Sequence, residues 1–169
     1  RDFITVGILL DKTKTELNDN WIYIQESYVK VGRIQVFNNW SPFLVSNAET
    51  TWLGLEYFCN ESDSLWKLKE EELIALATQE LIQLGFIEAS KNVLDATVIK
   101  VPKTYPAYFG AYNKFYKIRE FVEPIDNLFL VGRNGMHKYN NQDHSMLTAM
   151  QAVQNIKNGC ASGRNLGVK

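Results

Sequence analysis

An α+β chain is predicted, built from an antiparallel or mixed sheet with helices packed on it and closed by a terminal strand, loop and helix. Three observations predict it. Short runs rich in β-branched and aromatic residues crowd the first third of the sequence, with spacings too tight for parallel crossovers. A longer stretch after them carries apolar residues at helical intervals. The last third holds one short, almost wholly apolar run that leads through a polar loop into a second helical stripe.

The first strand is expected over Phe3 to Leu10, and the second over Trp21-Ile22-Tyr23-Ile24. Gly32 to Phe37 alternates polar and apolar neighbours, as a strand with one wet face does. Asn38 to Pro42 and Ser46 to Glu49 supply turn-forming residues before a fourth strand, Thr50 to Phe58. A helix follows from about Lys69 to Leu84, with Leu73, Ala77, Leu81 and Leu84 on one stripe. Glu70, Glu71 and Glu72 occupy its first turn, where negative charge suits the helix dipole, and Gly85 is its stop. Val93 to Val101 reads as a fifth strand ended by Pro102. Tyr112 to Val122 reads as a short amphipathic helix closed by Pro124. Asn127 to Gly132 reads as a strand buried on both faces. A last helix is expected from about Asp143 to Ile156, with Met146, Ala149, Met150, Val153 and Ile156 along one stripe.

Composition narrows the function classes. The 169 residues, 46% of them hydrophobic, suffice for one globular domain and not comfortably for two. With 18 basic and 19 acidic side chains the net charge is -1, so no general electrostatic pull toward nucleic acid or an anionic membrane exists. Cys59 and Cys160 lie far apart without CxxC spacing, which speaks against a disulfide framework and a zinc site, and no metal site is predicted. No apolar run approaches the roughly 20 residues that span a bilayer, and nothing near Arg1 resembles a signal peptide, so a soluble, cytoplasmic protein is expected. The chain opens without methionine and almost inside an apolar run, which reads as a piece of a longer protein. Asn60-Glu61-Ser62 is a formal sequon without a role in a cytosolic protein. Trp21, Trp40, Trp52 and Trp66 read as core or sheet-face residues before sugar platforms.

Chemistry concentrates between the last strand and the last helix, in Gly132-Arg133-Asn134-Gly135-Met136-His137-Lys138-Tyr139-Asn140-Asn141-Gln142-Asp143-His144-Ser145-Met146. A buried strand that runs through a loop into a helix N-terminus makes a platform for anions and polar ligands, because the first turn leaves N–H groups unpaired. Asn141 or Asp143 would cap that helix. Two readings stand on these features alone: a capped structural turn with ordinary polar histidines, or a ligand site at the carboxyl end of a buried strand.

The run NLFLVGRNGMHKYNNQDHSMLTAMQAVQNI resembles the C-terminal FAD-contacting motif of protoporphyrinogen-oxidase-like and amine-oxidase-like flavoproteins, nearest the UDP-galactopyranose-mutase-like branch. Upstream, Trp21 to Ile24, Gly32-Arg33-Ile34, Asn39-Trp40-Ser41-Pro42 and Tyr105-Pro106-Ala107-Tyr108 are similar to segments of the same proteins. The resemblance implies that residues 1–124 belong to a substrate domain, that residues 125–158 are the terminal strand, loop and helix of a Rossmann-like FAD domain, and that residues 159–169 form a flexible tail. It implies an FAD-dependent oxidoreductase acting on a small, possibly phosphate-bearing molecule. The alternatives are a flavin-dependent sugar-nucleotide mutase-like enzyme and a non-catalytic ligand-binding module. Cofactor contacts are implied for Gly132, Arg133, Asp143, His144, Ser145 and Met146, and substrate contacts for Arg133, Tyr139 and Asn141. Arg133 and Tyr139 resemble the mutase pair that reaches the substrate pyrophosphate. Asn141 stands where the mutase motif has Asp, which counts against assuming the mutase substrate.

No GxGxxG occurs in the sequence, so the pyrophosphate cradle of a dinucleotide fold is not among these residues. The expectation is a C-terminal piece whose partner is the N-terminal FAD-domain segment. FAD is expected in the full-length protein and not in this chain alone.

Overall fold

A computed structural model of the chain describes residues 2–14, 16–105 and 108–159. Residues 160–169 of the expected tail, Cys160 among them, and Pro106 and Ala107 lie outside the described residues. The chain divides into two compact units, Arg1–Tyr105 and Pro106–Lys169.

The first unit is built on five antiparallel strands: β1 (Asp2–Leu10), β2 (Trp21–Tyr23), β3 (Arg33–Val36), β4 (Thr51–Cys59) and β5 (Val93–Val101), in the order β2-β3-β4-β1-β5. Each falls close to a run where the sequence predicted one. Antiparallel register then sorts side chains onto two faces, since Cβ atoms alternate along every strand. Ile4 pairs with Tyr57, Val6 with Leu55 and Ile8 with Leu53, so one face is continuously apolar across β1 and β4. Ile34 and Val36 of β3 extend it.

Helices complete the unit: α1 (Phe37–Trp40), α2 (Ser64–Lys67) and α3 (Glu70–Gln83). The expected stripe of α3 is the one that is covered, with Leu73, Ala77 and Leu81 fully buried in the same core cluster as the sheet. Each fully buried Leu or Ile of that cluster contributes about 1.5–3 kcal/mol relative to exposure. At its start the Glu72 side chain accepts the Lys69 N–H at 2.8 Å. Its end is a Schellman turn: Phe86 N–H bonds Leu81 O at 2.9 Å, Gly85 N–H bonds Ile82 O at 3.0 Å, and Gly85 takes φ +80°.

Two polar devices tie α2 and α3 to the sheet. Glu80, 3% exposed on α3, accepts the Lys30 N–H at 2.6 Å, the Val31 N–H at 3.2 Å and the Tyr57 hydroxyl at 2.9 Å. Burial and then the Glu80 charge push the Tyr57 phenol well above its ordinary value, so it stays a donor. Lys100 lies on the core-side face of β5 and sends its ammonium to Trp66 O at 2.8 Å and Leu68 O at 2.7 Å, at the C-terminal end of α2.

On the other face of the sheet, rings lie over glycines. A Cβ on Gly54 would stand 2.9 Å from Cζ of Phe37, and one on Gly32 would stand 2.9 Å from Cδ2 of Phe58.

The second unit holds a 3-10 turn (Gly110–Lys114) running into α4 (Phe115–Val122), then α5 (Gly132–Gly135) and α6 (Gln142–Lys157). One expectation fails in it. Asn127 to Gly132, predicted as a buried strand, joins no ladder among the described residues. Asn127 (φ +65°) and Gly132 (φ +70°) turn the chain at both ends, and Gly132 opens α5. A strand needs neighbours to pair with, and every strand described lies in the first unit. The α6 stripe faces outward: Thr148, Ala152 and Asn155 are buried, whereas Met146, Met150, Val153 and Ile156 are exposed.

Candidate functional site

The loop singled out in the sequence folds as a tight spiral, α5, followed by a return to α6. Gly132, in the left-handed region, donates its N–H to Thr148 Oγ1 at 2.9 Å, and Thr148 Oγ1 in turn donates to Ser145 O at 2.8 Å. The Cβ position of Gly132 lies 3.7 Å from Ser145 Oγ, so the start of α5 rests on the first turn of α6. These contacts bring Gly132 and Ser145 together. The second pair is Arg133 and Tyr139, where the guanidinium carbon lies 4.2 Å from the ring centroid. The guanidinium thus sits over the face of the phenol in a cation–π contact.

At the N-terminus of α6, Asn141 contributes its carbonyl and not its amide: Ser145 N–H bonds Asn141 O at 3.2 Å, with no side-chain cap. The N–H groups of Gln142, Asp143 and His144 precede that first bond of the helical ladder. The His144 N–H, then the His144 ring, hold the Asp143 carboxyl below the usual carboxylate range, with Nδ1 at 3.0 Å from Oδ1. Ser145 Oγ donates to Asn140 Oδ1 at 3.1 Å. Met146 is exposed, on the opened stripe of α6. The expected residues therefore form two clusters, Gly132 with Ser145 and Arg133 with Tyr139, beside a first turn whose amides lead into α6.

The first unit holds a polar cluster that the sequence reading missed. Glu56, 1% exposed in the middle of β4, accepts hydrogen bonds from Arg33 Nε and Gln35 Nε2 on β3. The Arg33 guanidinium lies 4.5 Å from the Trp21 ring centroid and 5.7 Å from that of Tyr23. Burial works against its charge, but the hydrogen bonds to Glu56 and Tyr23 outweigh that, leaving its pKa above the ordinary value. One signal was available. An acid inside Trp52-Leu53-Gly54-Leu55-Glu56-Tyr57-Phe58 has to be paired, because an unpaired buried carboxylate is prohibitively costly. Among the described residues no group of acidic, histidine or cysteine side chains could hold a metal ion, and no helix is long and apolar enough to cross a membrane.

Comparison with solved structures supplies the frame for these clusters. The chain is similar to a reduced UDP-galactopyranose mutase, with a TM-score of 0.76 and 22% identity over 98% of this chain and 36% of that one. It is also similar to a putative protoporphyrinogen oxidase from Exiguobacterium sp. 255-15, with a TM-score of 0.68 and 14% identity over 94% of this chain and 35% of that one. The fold is shared with both. The chain spans about a third of the length of either protein. No protein-family model matches it, and no curated protein matches it by sequence.

Proposed function

We propose that this chain is the C-terminal part of an FAD-dependent oxidoreductase acting on a small molecule. The observation that carries the reading is the similarity of nearly its whole length to a mutase and a putative oxidase of the kind its last motif resembles. The glycine-rich cradle for the cofactor pyrophosphate belongs, in this reading, to another segment of the protein.

The residues present fit one side of that cofactor. The start of α6 presents the positive end of its helix dipole, with the Gln142 N–H ahead of the first bond of the ladder, which suits the polar edge of a flavin ring. Bound there, the flavin would supply the acceptance and return of an electron pair. The chain's own residues do the rest. Arg133, placed over the Tyr139 ring, binds an anionic group of the substrate as a planar cation, and the Tyr139 hydroxyl offers one further donor. Asp143 and His144 pair at the helix start, with Nδ1 3.0 Å from Oδ1.

A flavin-dependent sugar-nucleotide mutase is the second reading, favoured by the higher TM-score and identity to the mutase and by the Arg133–Tyr139 stack, which suits a pyrophosphate. Asn141 weighs against the same substrate.

The test is Arg133→Ala in the flavin-loaded full-length protein. Losing a charge-assisted hydrogen bond to a phosphate-like group should cost about 1.5–3 kcal/mol, roughly ten- to more than a hundredfold in substrate affinity. Flavin content on the same samples should stay level. Loss of FAD with unchanged substrate affinity per flavin would make Arg133 a cofactor ligand and end the substrate-site reading.

A further inference from the structure

α5 ends in a Schellman turn like that of α3, but with a different residue at its left-handed position. Lys138 N–H bonds Arg133 O at 3.2 Å and His137 N–H bonds Asn134 O at 3.2 Å, the same pair of bonds that Phe86 and Gly85 make. In α3 the left-handed residue is glycine. In α5 it is His137, at φ +49°, where a Cβ is disfavoured. A side chain kept at backbone cost points to a task for that side chain.

The imidazole of His137 lies among three rings, with centroids 4.9 Å away at Phe115, 5.6 Å at Tyr112 and 6.1 Å at Tyr108. The Tyr112 hydroxyl also donates to the His137 carbonyl at 3.1 Å. Both ends of the residue are thereby fixed to the segment 108–115. The Schellman bonds then pass that fixed point back to Arg133 on one side, and Tyr139 follows two residues on. We propose that His137 is the positioning residue of the Arg133–Tyr139 pair, its ring seated among Tyr108, Tyr112 and Phe115 so that the turn holds the guanidinium against the phenol. Its value to a substrate rests on the function proposed above. The geometric claim stands apart from it.

Glycine separates this role from simple capping. If the position served the backbone alone, His137→Gly would relieve the turn and leave the stack intact. The measurement is the upfield ring-current shift of the Arg133 side-chain protons, read by NMR on this chain for the parent, His137→Gly, His137→Phe and Phe115→Leu. The proposal expects the shift in the parent and in His137→Phe, which keeps a ring in the seat. It expects loss of most of it in His137→Gly and in Phe115→Leu, which empties the seat from the other side. Glycine also raises the backbone freedom of the unfolded chain, so if His137→Gly disorders the unit the decision falls to His137→Phe and Phe115→Leu. A parent-like shift in His137→Gly, or its loss in His137→Phe, would overturn the proposal. Failure of the substrate reading would show separately, in the Arg133→Ala titration.

Discussion

The two units use their apolar residues in opposite ways. In the first, the stripe of α3 and the inner faces of β1, β3 and β4 close on one another, and Leu73, Ala77 and Leu81 are fully buried. In the second, a stripe of equal regularity on α6 faces outward: Met150 is 66% exposed, while Thr148 and Asn155 are buried instead. Periodicity places residues on one side of a helix. Whether that side is covered depends on what else is folded beside it.

Substitutions can break or sharpen this contrast, and the placement of probes helps. All four tryptophans, Trp21, Trp40, Trp52 and Trp66, lie in the first unit, and all three methionines, Met136, Met146 and Met150, lie in the second. Tryptophan fluorescence therefore follows one unit, and methionine methyl signals the other. The largest effect is expected from Leu81→Ala, which opens a cavity between α3 and the sheet. It should lower the stability followed by tryptophan fluorescence in denaturant by about 2–5 kcal/mol and leave the methionine signals in place. A loss below about 1 kcal/mol would mean that the first unit is not sealed as described.

An intermediate effect is expected from Glu80→Gln. The amide keeps one acceptor oxygen and turns a donor toward the Lys30 and Val31 N–H groups or the Tyr57 hydroxyl, so at least one buried donor loses its partner. The expected cost is about 1–3 kcal/mol in the same fluorescence assay. A neutral outcome would show that this network is replaceable by water.

The smallest effect is expected where sequence periodicity alone would predict a large one. Met150→Lys places a charge on the apolar stripe of α6 and should change the stability of the second unit by no more than about 0.5 kcal/mol, because the position is exposed. A drop comparable to that of Leu81→Ala, followed through the Met136 and Met146 methyl signals, would show that this face is covered in solution.

The contrast also explains what was legible in the sequence. The five strands and α3 were read nearly residue for residue, since alternation and helical spacing are local and the surrounding structure agrees with them. Asn127 to Gly132 was misread because a strand is completed by its neighbours, and an apolar composition says only that the segment would suit one. In the site, the glycine and amide punctuation located the Gly132-to-Met146 loop and its helix start. The choice of Arg133 and Tyr139 came from resemblance to known proteins, and the contact between guanidinium and ring comes from the structure. Arg33, Gln35 and Glu56 were missed because their association depends on the register between β3 and β4, which pairs Arg33 with Glu56 and cannot be counted along the chain.

The rings that lie over glycines on the outer face of the sheet bear on how this sequence can drift. A Cβ at Gly54 would meet the Phe37 ring and one at Gly32 the Phe58 ring, so neither glycine can gain a side chain unless the ring beside it shifts. A methyl group at Gly54 forces the Phe37 ring off the strand, and a smaller residue at position 37 makes room for that methyl group. Each glycine is therefore tied to the ring beside it: growth at the glycine is eased by a smaller residue at its partner position.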